Sequence, residues 1–110
     1  MNWIILKDEA GLETIKSVSA QRPQVIFKHS TRCSISSMIK NRLEKVEAPG
    51  ELNFHFLDLI TYRALSNKIA NDFSVDHESP QILLIIDGEC VYDESHNGIR
   101  MDEIIEKANL

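Results

Sequence analysis

One of the two cysteines in this 110-residue chain lies in a segment whose residue types favour sulfur chemistry. Cys33 belongs to KHSTRCSIS, residues 28–36, which follows the apolar run 25–27 and precedes a helical pattern. A helix N-terminus has unpaired N–H groups and about half a positive charge, and both favour a thiolate over a thiol. We therefore interpret Cys33 as an exposed nucleophile, the alternative being a small residue packed against a sheet.

The neighbours of Cys33 would stabilise an anionic sulfur. Arg32 and Lys28 would add positive charge, and His29 would do so when protonated. Three hydroxyl groups could donate hydrogen bonds to the sulfur, namely those of Thr31, Ser34 and Ser36.

The second cysteine, Cys90, is not expected to act as a resolving thiol. It follows an apolar strand predicted at residues 81–86. If Pro80 lies near Cys33, that strand carries the chain about 16 Å away, whereas a disulfide needs Cα atoms within about 7 Å. Position 36 is a serine, so there is no C-x-x-C motif. We predict a structural role for Cys90 and a single reactive thiol that a second small thiol must reset.

A second candidate segment is HESPQ, residues 77–81, just ahead of that apolar strand. A proline at this place interrupts the strand pattern, and an X-Pro bond can be cis. By itself the segment is also explained as a simple strand entry. Combined with a cysteine at a strand-to-helix turn in this strand order, the segment is a much stronger candidate motif.

The elements that must position these segments follow from hydrophobic periodicity. Strands are predicted at residues 3–6, 24–28, 52–59, 81–86 and 89–93, with a hairpin turn at Asp87-Gly88. Helices are predicted at residues 8–20, 34–46, 62–73 and 99–109. The order β-α-β-α-β-α-β-β-α implies an α/β fold, with a mixed sheet between helices on both faces.

The second predicted helix has an apolar stripe that should face the sheet. The stripe consists of Ile35, Ile39, Leu43 and Val46. Two methionines at helical positions, Met38 and Met101, are predicted to fill the core.

Length and composition indicate one domain over residues 1–110. The formal net charge of −5 argues against nonspecific nucleic-acid binding. No apolar segment approaches the ~20 residues that span a membrane, so we expect a cytoplasmic protein without membrane contact. A reducing compartment would keep both cysteines as thiols.

Residues 27–36, residues 77–81 and Ser95-His96 together resemble the monothiol bacilliredoxins of the YtxJ type, described as bacillithiol-system or general stress proteins. The resemblance implies a thioredoxin-like three-layer α/β/α sandwich. It also implies that Cys33 is the redox cysteine and that a cis Pro80 faces it. The family commonly has proline after the cysteine, where this chain has Ser34, and Ser36 stands where a dithiol relative has its second cysteine.

The activity implied by the resemblance is removal of a low-molecular-weight thiol, bacillithiol or a similar one, from S-thiolated client proteins. The thiol would act as a co-substrate, with no bound cofactor and no metal. Cys33 would be catalytic, and the substrate would contact Thr31, Arg32, Ser34, Ser36, Ser79 and Pro80, with the backbone beside Ser79 pairing with the bound thiol or peptide.

Other functions remain open from the residues alone. A redox-inert thioredoxin-like module could bind peptides at the same groove, and a stress-related thiol sensor could itself be the regulated target. A zinc site would need Cys33, His29 and His77, which lack the close paired spacing of structural zinc ligands. A cysteine hydrolase would need an orienting third group, and none is evident.

Overall fold

The computed structural model describes residues 1–110 as five strands and four α-helices around one mixed sheet. The strands are β1 (Trp3–Ile5), β2 (Gln24–His29), β3 (Asn53–Asp58), β4 (Gln81–Ile86) and β5 (Glu89–Ser95). The helices are α1 (Glu9–Val18), α2 (Ser34–Glu44), α3 (Arg63–Phe73) and α4 (Met101–Lys107), with a 3₁₀ turn at His96–Gly98 before α4. The predicted element order is confirmed.

The sheet has the strand order β1-β3-β2-β4-β5. β1 and β2 each pair in parallel with β3, and β4 pairs antiparallel with both β2 and β5. The predicted hairpin at Asp87-Gly88 joins β4 to β5. Both of its residues have positive φ angles, 52° and 76°, as a tight hairpin turn requires.

Helices cover both faces of the sheet, and each face has its own apolar core. On one face, α2 and α4 contribute Ile39, Leu43, Met101 and Ile104, which pack against Val25 and Phe27 of β2 among others. On the other face, α1 and α3 contribute Leu12, Ile15, Leu65 and Ile69, which pack against Ile26 of β2 and Leu57 of β3 among others. The central strand β2 is therefore buried along its whole length.

Several element ends differ from their predicted positions for local reasons. The helix α1 begins at Glu9 because the Asp8 carboxylate caps it by accepting the Gly11 N–H at 2.8 Å. Strand β5 extends to Ser95 because its pairing with β4 continues to Gln81. The four helices are all too short or too polar to cross a bilayer.

The predicted apolar stripe of α2 is partly wrong. Ile39 and Leu43 are buried, but Ile35 is 41% exposed and Val46 is 47% exposed. Ser36, buried completely, takes the inward position in the first turn. The true inward spacing is therefore 36, 39 and 43, and Ile35 is rotated from Ser36 by about 100°.

The two methionines assigned to the core differ in outcome. Met101 is buried at the start of α4, as predicted. Met38 is 49% exposed on the outer side of α2, one residue before the inward Ile39, so its predicted place in the core is wrong.

Candidate active site

Cys33 is the N-cap residue of α2, in an extended conformation with φ −111° and ψ 117°. Its backbone N–H donates to the Ser30 carbonyl at 3.2 Å, and its carbonyl accepts the Ser37 N–H at 3.2 Å. The side chain is half-buried and unbridged, and its sulfur makes no capping hydrogen bond. The sulfur is therefore free, at the end of a helix where the unpaired N–H groups favour negative charge.

Ser36 organises the Cys33 turn, which we define as residues 30–33. Its hydroxyl accepts the Ser30 N–H at 3.1 Å and lies 2.7 Å from Nδ1 of His29. The Ser30 hydroxyl in turn accepts the Arg32 N–H at 3.3 Å. The structure thus places the Ser36 hydroxyl beneath the turn, against His29 and Ser30, with no hydrogen bond to the Cys33 sulfur.

His29 is a buried neighbour of the turn and only 5% exposed. Its ring lies against Phe27 and Phe56, with centroid distances of 5.8 and 5.2 Å. Burial, and then the charge of Lys40, lower the His29 pKa below its ordinary value. At neutral pH the ring is uncharged, so the expected positive charge near the sulfur does not come from this residue.

Lys28 does not lie beside Cys33, which corrects the expectation that it supports the thiolate. Its register partner Leu57 belongs to the core under α1 and α3, so Lys28 points to the face opposite α2. It is 0% exposed, and its Nζ donates to the Ser66 carbonyl at 3.1 Å. Burial lowers the Lys28 pKa to about 8.

The remaining residues of the Cys33 turn leave its outer side open. Thr31 and Arg32 of the turn are exposed, and so is Ser34 at the start of α2. No ion pair holds Arg32. Its guanidinium is therefore the cation beside Cys33 that remains available to a ligand.

The second predicted segment forms the Pro80 loop, which we define as residues 76–80 leading into β4. The Ser79-Pro80 peptide bond is cis, and Pro80 is buried. Because Lys28 pairs with Gln81 in the antiparallel β2–β4 ladder, Pro80 lies alongside His29 at the sheet edge where the Cys33 turn begins. The structure thus brings the two predicted segments to one edge.

Three contacts within and beside the loop fix its shape. The Pro80 carbonyl accepts the His96 N–H at 3.0 Å, and the Gln81 amide group donates to the Asp76 carbonyl at 2.9 Å. His96 also lies 3.6 Å from the carboxylate of Glu78. The Ser79 hydroxyl oxygen is buried without a hydrogen-bond partner.

Cys90 lies in β5 opposite Ile85, near the hairpin end of the β4–β5 ladder. It packs against the core under α1 and α3, and its Sγ–H donates to the Tyr92 carbonyl at 3.3 Å. Burial raises the Cys90 pKa to about 11. These surroundings are those of a packed thiol, and the chain contains no disulfide.

The histidines do not converge on a metal site. His29 lies under α2, whereas His77 reaches the opposite face of the sheet and lies 3.4 Å from Lys28 Nζ. His55 is buried and hydrogen-bonded to Gln24 Oε1 at 2.7 Å. No group of three or more His, Cys, Asp and Glu side chains is arranged to hold a metal ion.

Two contacts at the site were missed from the sequence, namely His29–Ser36 and Lys28–His77. The alternation of side chains along a strand could have indicated both contacts, because adjacent residues of β2 must point to opposite faces of the sheet. That rule separates Lys28 from His29 and directs each toward a different segment of the site.

Solved structures share this architecture. One described as an oxidoreductase with a thioredoxin fold is 26% identical, with a TM-score of 0.82, covering 96% of this chain and 92% of that chain. Thioredoxin from Malassezia sympodialis is 12% identical, with a TM-score of 0.75 and coverage of 99% and 89%. A mutant thioredoxin from Halobacterium salinarum is 18% identical, with a TM-score of 0.73 and coverage of 99% and 93%.

Fold and site together define a thiol–disulfide oxidoreductase of the thioredoxin class, with one cysteine at a helix N-terminus beside a cis-proline loop. A family model described as Monothiol bacilliredoxin BrxC matches residues 4–104. The chain belongs to this monothiol bacilliredoxin family. The predicted class of fold and enzyme is confirmed.

Proposed function

We propose that this protein removes a low-molecular-weight thiol, bacillithiol or a similar one, from S-thiolated client proteins in the cytoplasm, and that Cys33 is its catalytic residue. The observation that carries the proposal is the free Cys33 sulfur at the N-terminus of α2, at the sheet edge that the Pro80 loop shares. We place this reaction in a single domain over residues 1–110.

The reaction consists of two exchange steps. The Cys33 thiolate attacks the small thiol's sulfur in the mixed disulfide. The S–S bond between that sulfur and the client cysteine breaks, and a disulfide between Cys33 and the small thiol forms. The client cysteine leaves as a thiolate and takes a proton from solvent. A second small thiol then attacks the adduct, which releases the small disulfide and restores Cys33. In the net reaction the client sulfur is reduced and the second small thiol is oxidised, so one mixed disulfide and one free thiol become a free client thiol and the small-molecule disulfide.

Substrate contacts would come from both sides of the shared edge. Thr31, Arg32 and Ser34 border the open side of the Cys33 turn. The backbone beside Ser79 and Pro80 would pair with an extended client segment, and Ser36 would hold the turn from beneath. The small thiol is a co-substrate, so the scheme requires no bound cofactor.

Mass spectrometry tests the scheme directly. The reduced protein is mixed with a peptide S-thiolated by bacillithiol, and with matched peptides carrying glutathione or cysteine. We expect the bacillithiol mass to transfer to Cys33 and to leave when free bacillithiol is added. Cys33→Ser should abolish transfer, and the matched Cys90→Ala should retain it.

Two results would contradict parts of the proposal. Transfer that persists in Cys33→Ser would show that another group is the nucleophile. Equal transfer from all three peptides would retain the exchange reaction but remove the preference for bacillithiol.

A further inference from the structure

Lys28 is a buried lysine for which the exchange reaction at Cys33 gives no role. It is 0% exposed in the central strand, and no carboxylate pairs with it. A buried ammonium without a counter-charge disfavours folding, so stability does not explain its presence. A methionine of similar length would fill the same space without that cost.

The contacts of Lys28 lead toward the Pro80 loop. Its Nζ donates to the Ser66 carbonyl of α3 at 3.1 Å and lies 3.4 Å from Nδ1 of His77. The Ser66 hydroxyl lies 3.4 Å from the same Nδ1. The cluster therefore joins three parts of the chain, namely β2, α3 and the loop.

The hydrogen-bond donors of Lys28 determine which nitrogen of the His77 ring carries the proton. An ammonium has only donors, so a hydrogen bond from Lys28 requires a lone pair on Nδ1. The ring must then be neutral, with its proton on Nε2. A doubly protonated ring would place two cations 3.4 Å apart.

The His77 side chain is exposed on one side and links the Pro80 loop to Lys28 in the sheet and to Ser66 in α3. The other contacts of the loop run to the Gln81 side chain at the start of β4 and to His96 after β5, so only His77 links the loop to α3. Since His77 lies two residues before Ser79, its contact with Lys28 limits how far the loop can move from the Cys33 edge.

We propose that Lys28 and His77 are positioning residues for thiol–disulfide exchange, because their contact holds the Pro80 loop in place to receive an extended client segment. The proposal rests on Cys33 being the nucleophile and deepens that function by naming what fixes the client-binding backbone. Neither side chain touches the reacting sulfur atoms.

The contact should be sensitive to acid. Burial, and then the charges of Lys28 and Arg63, hold the His77 pKa below its ordinary value, while Glu78 acts in the opposite direction. As pH falls through that lowered value, the ring becomes a cation facing an ammonium. The contact is then lost, and binding of extended clients should weaken before the core unfolds.

The test uses a peptide whose single cysteine carries 2-mercaptoethanol in a mixed disulfide. Its kcat/KM for exchange is divided by the rate at which iodoacetamide alkylates Cys33, since both reactions need the thiolate. We expect this ratio at pH 7.5 to fall about tenfold in both Lys28→Met and His77→Ala, mainly through KM. Their double variant should fall no further than either single one.

His77→Asn distinguishes positioning from general structural damage, because its amide oxygen retains an acceptor near the Nδ1 position but cannot be protonated. We expect it to keep the ratio within about threefold of the unmodified protein at pH 7.5. From pH 7.5 to 5.5 the ratio should fall in the unmodified protein and stay level in His77→Asn. Lys68→Met, which removes a half-buried lysine of α3 that pairs with Asp72 and does not contact the Pro80 loop, is the matched control and should leave the ratio unchanged.

An unchanged ratio in Lys28→Met, which removes the buried charge and should unfold at a higher temperature, would overturn the proposal. So would additive losses in the double variant, or an acid decline that persists in His77→Asn. Cys33→Ser distinguishes failure of the proposed nucleophile from failure of the proposed positioning role. If it still performs exchange, the proposed nucleophile is wrong; if it is inactive while Lys28→Met is normal, only the positioning role is wrong.

Discussion

Cys33 begins a helix at the edge of the sheet, whereas Cys90 lies within β5 and packs against the core under α1 and α3. Both are half-buried and unbridged, so exposure alone does not distinguish them. What differs is the backbone around each sulfur. Unpaired N–H groups point outward at the start of α2, while the thiol of Cys90 donates to a ladder carbonyl. The comparison indicates that the position of a cysteine in its element decides its reactivity.

The largest expected difference between the two sulfurs is kinetic. At pH 7.5, iodoacetamide should alkylate Cys33 at least about 100-fold faster than Cys90, because so little of a thiol with a pKa near 11 is ionised there. Raising the pH toward 11 should steadily increase the Cys90 rate. Peptide mapping after timed quenching measures both sites in one sample. Comparable rates at pH 7.5 would break the comparison.

The second prediction concerns what holds the Cys33 turn in place. Ser36→Ala should lower the free energy of unfolding by about 2 kcal/mol, because it leaves the Ser30 N–H and the His29 ring without their partner. Urea denaturation measures this loss. Ser37→Ala changes an exposed neighbour on the same helix and should stay within about 0.5 kcal/mol. Equal effects of the two variants would show that the turn does not depend on Ser36.

The smallest expected effect concerns stability, where Cys90 should matter more than Cys33, although Cys33 is the more reactive of the two. Cys90→Ala should cost about 1 kcal/mol of unfolding free energy, because it removes a sulfur packed against the core. Cys33→Ala should cost less than about 0.5 kcal/mol, since its sulfur makes no hydrogen bond. Matched urea denaturation curves at pH 7 decide between them. A larger loss at Cys33 would mean that its sulfur is structural.

The place of the reactive cysteine could be predicted from the sequence because it depends on local patterns. An apolar run followed by a helical period locates the strand-to-helix turn, and Asp87-Gly88 locates the hairpin before Cys90. Such local sequence patterns locate turns without information about how the core packs. The shared edge of the two candidate segments came from the family resemblance, because the order of elements along the chain does not fix which strands are neighbours in the sheet.

The errors arose where a side chain's direction depends on packing. Apolar character predicts that Ile35 and Met38 point inward, but the inward side of α2 is set by Ser36, which is anchored by His29. Closeness in sequence predicts that Lys28 lies beside the sulfur, but one step along a strand reverses the direction of a side chain. A polar anchor inside a helix's inward face leaves no hydrophobic signal, so periodicity could not reveal it.

The serine at position 36 has a consequence for how such a catalyst would behave over time. Because no second cysteine can resolve the mixed disulfide, the small thiol stays bound to Cys33 until a free thiol from solution attacks it. In the proposed scheme the loaded fraction of the protein would rise when the surrounding pool of reduced thiol runs low and fall when that pool recovers. The fraction of protein in the mixed-disulfide form would then report the concentration of reduced thiol that the same protein consumes.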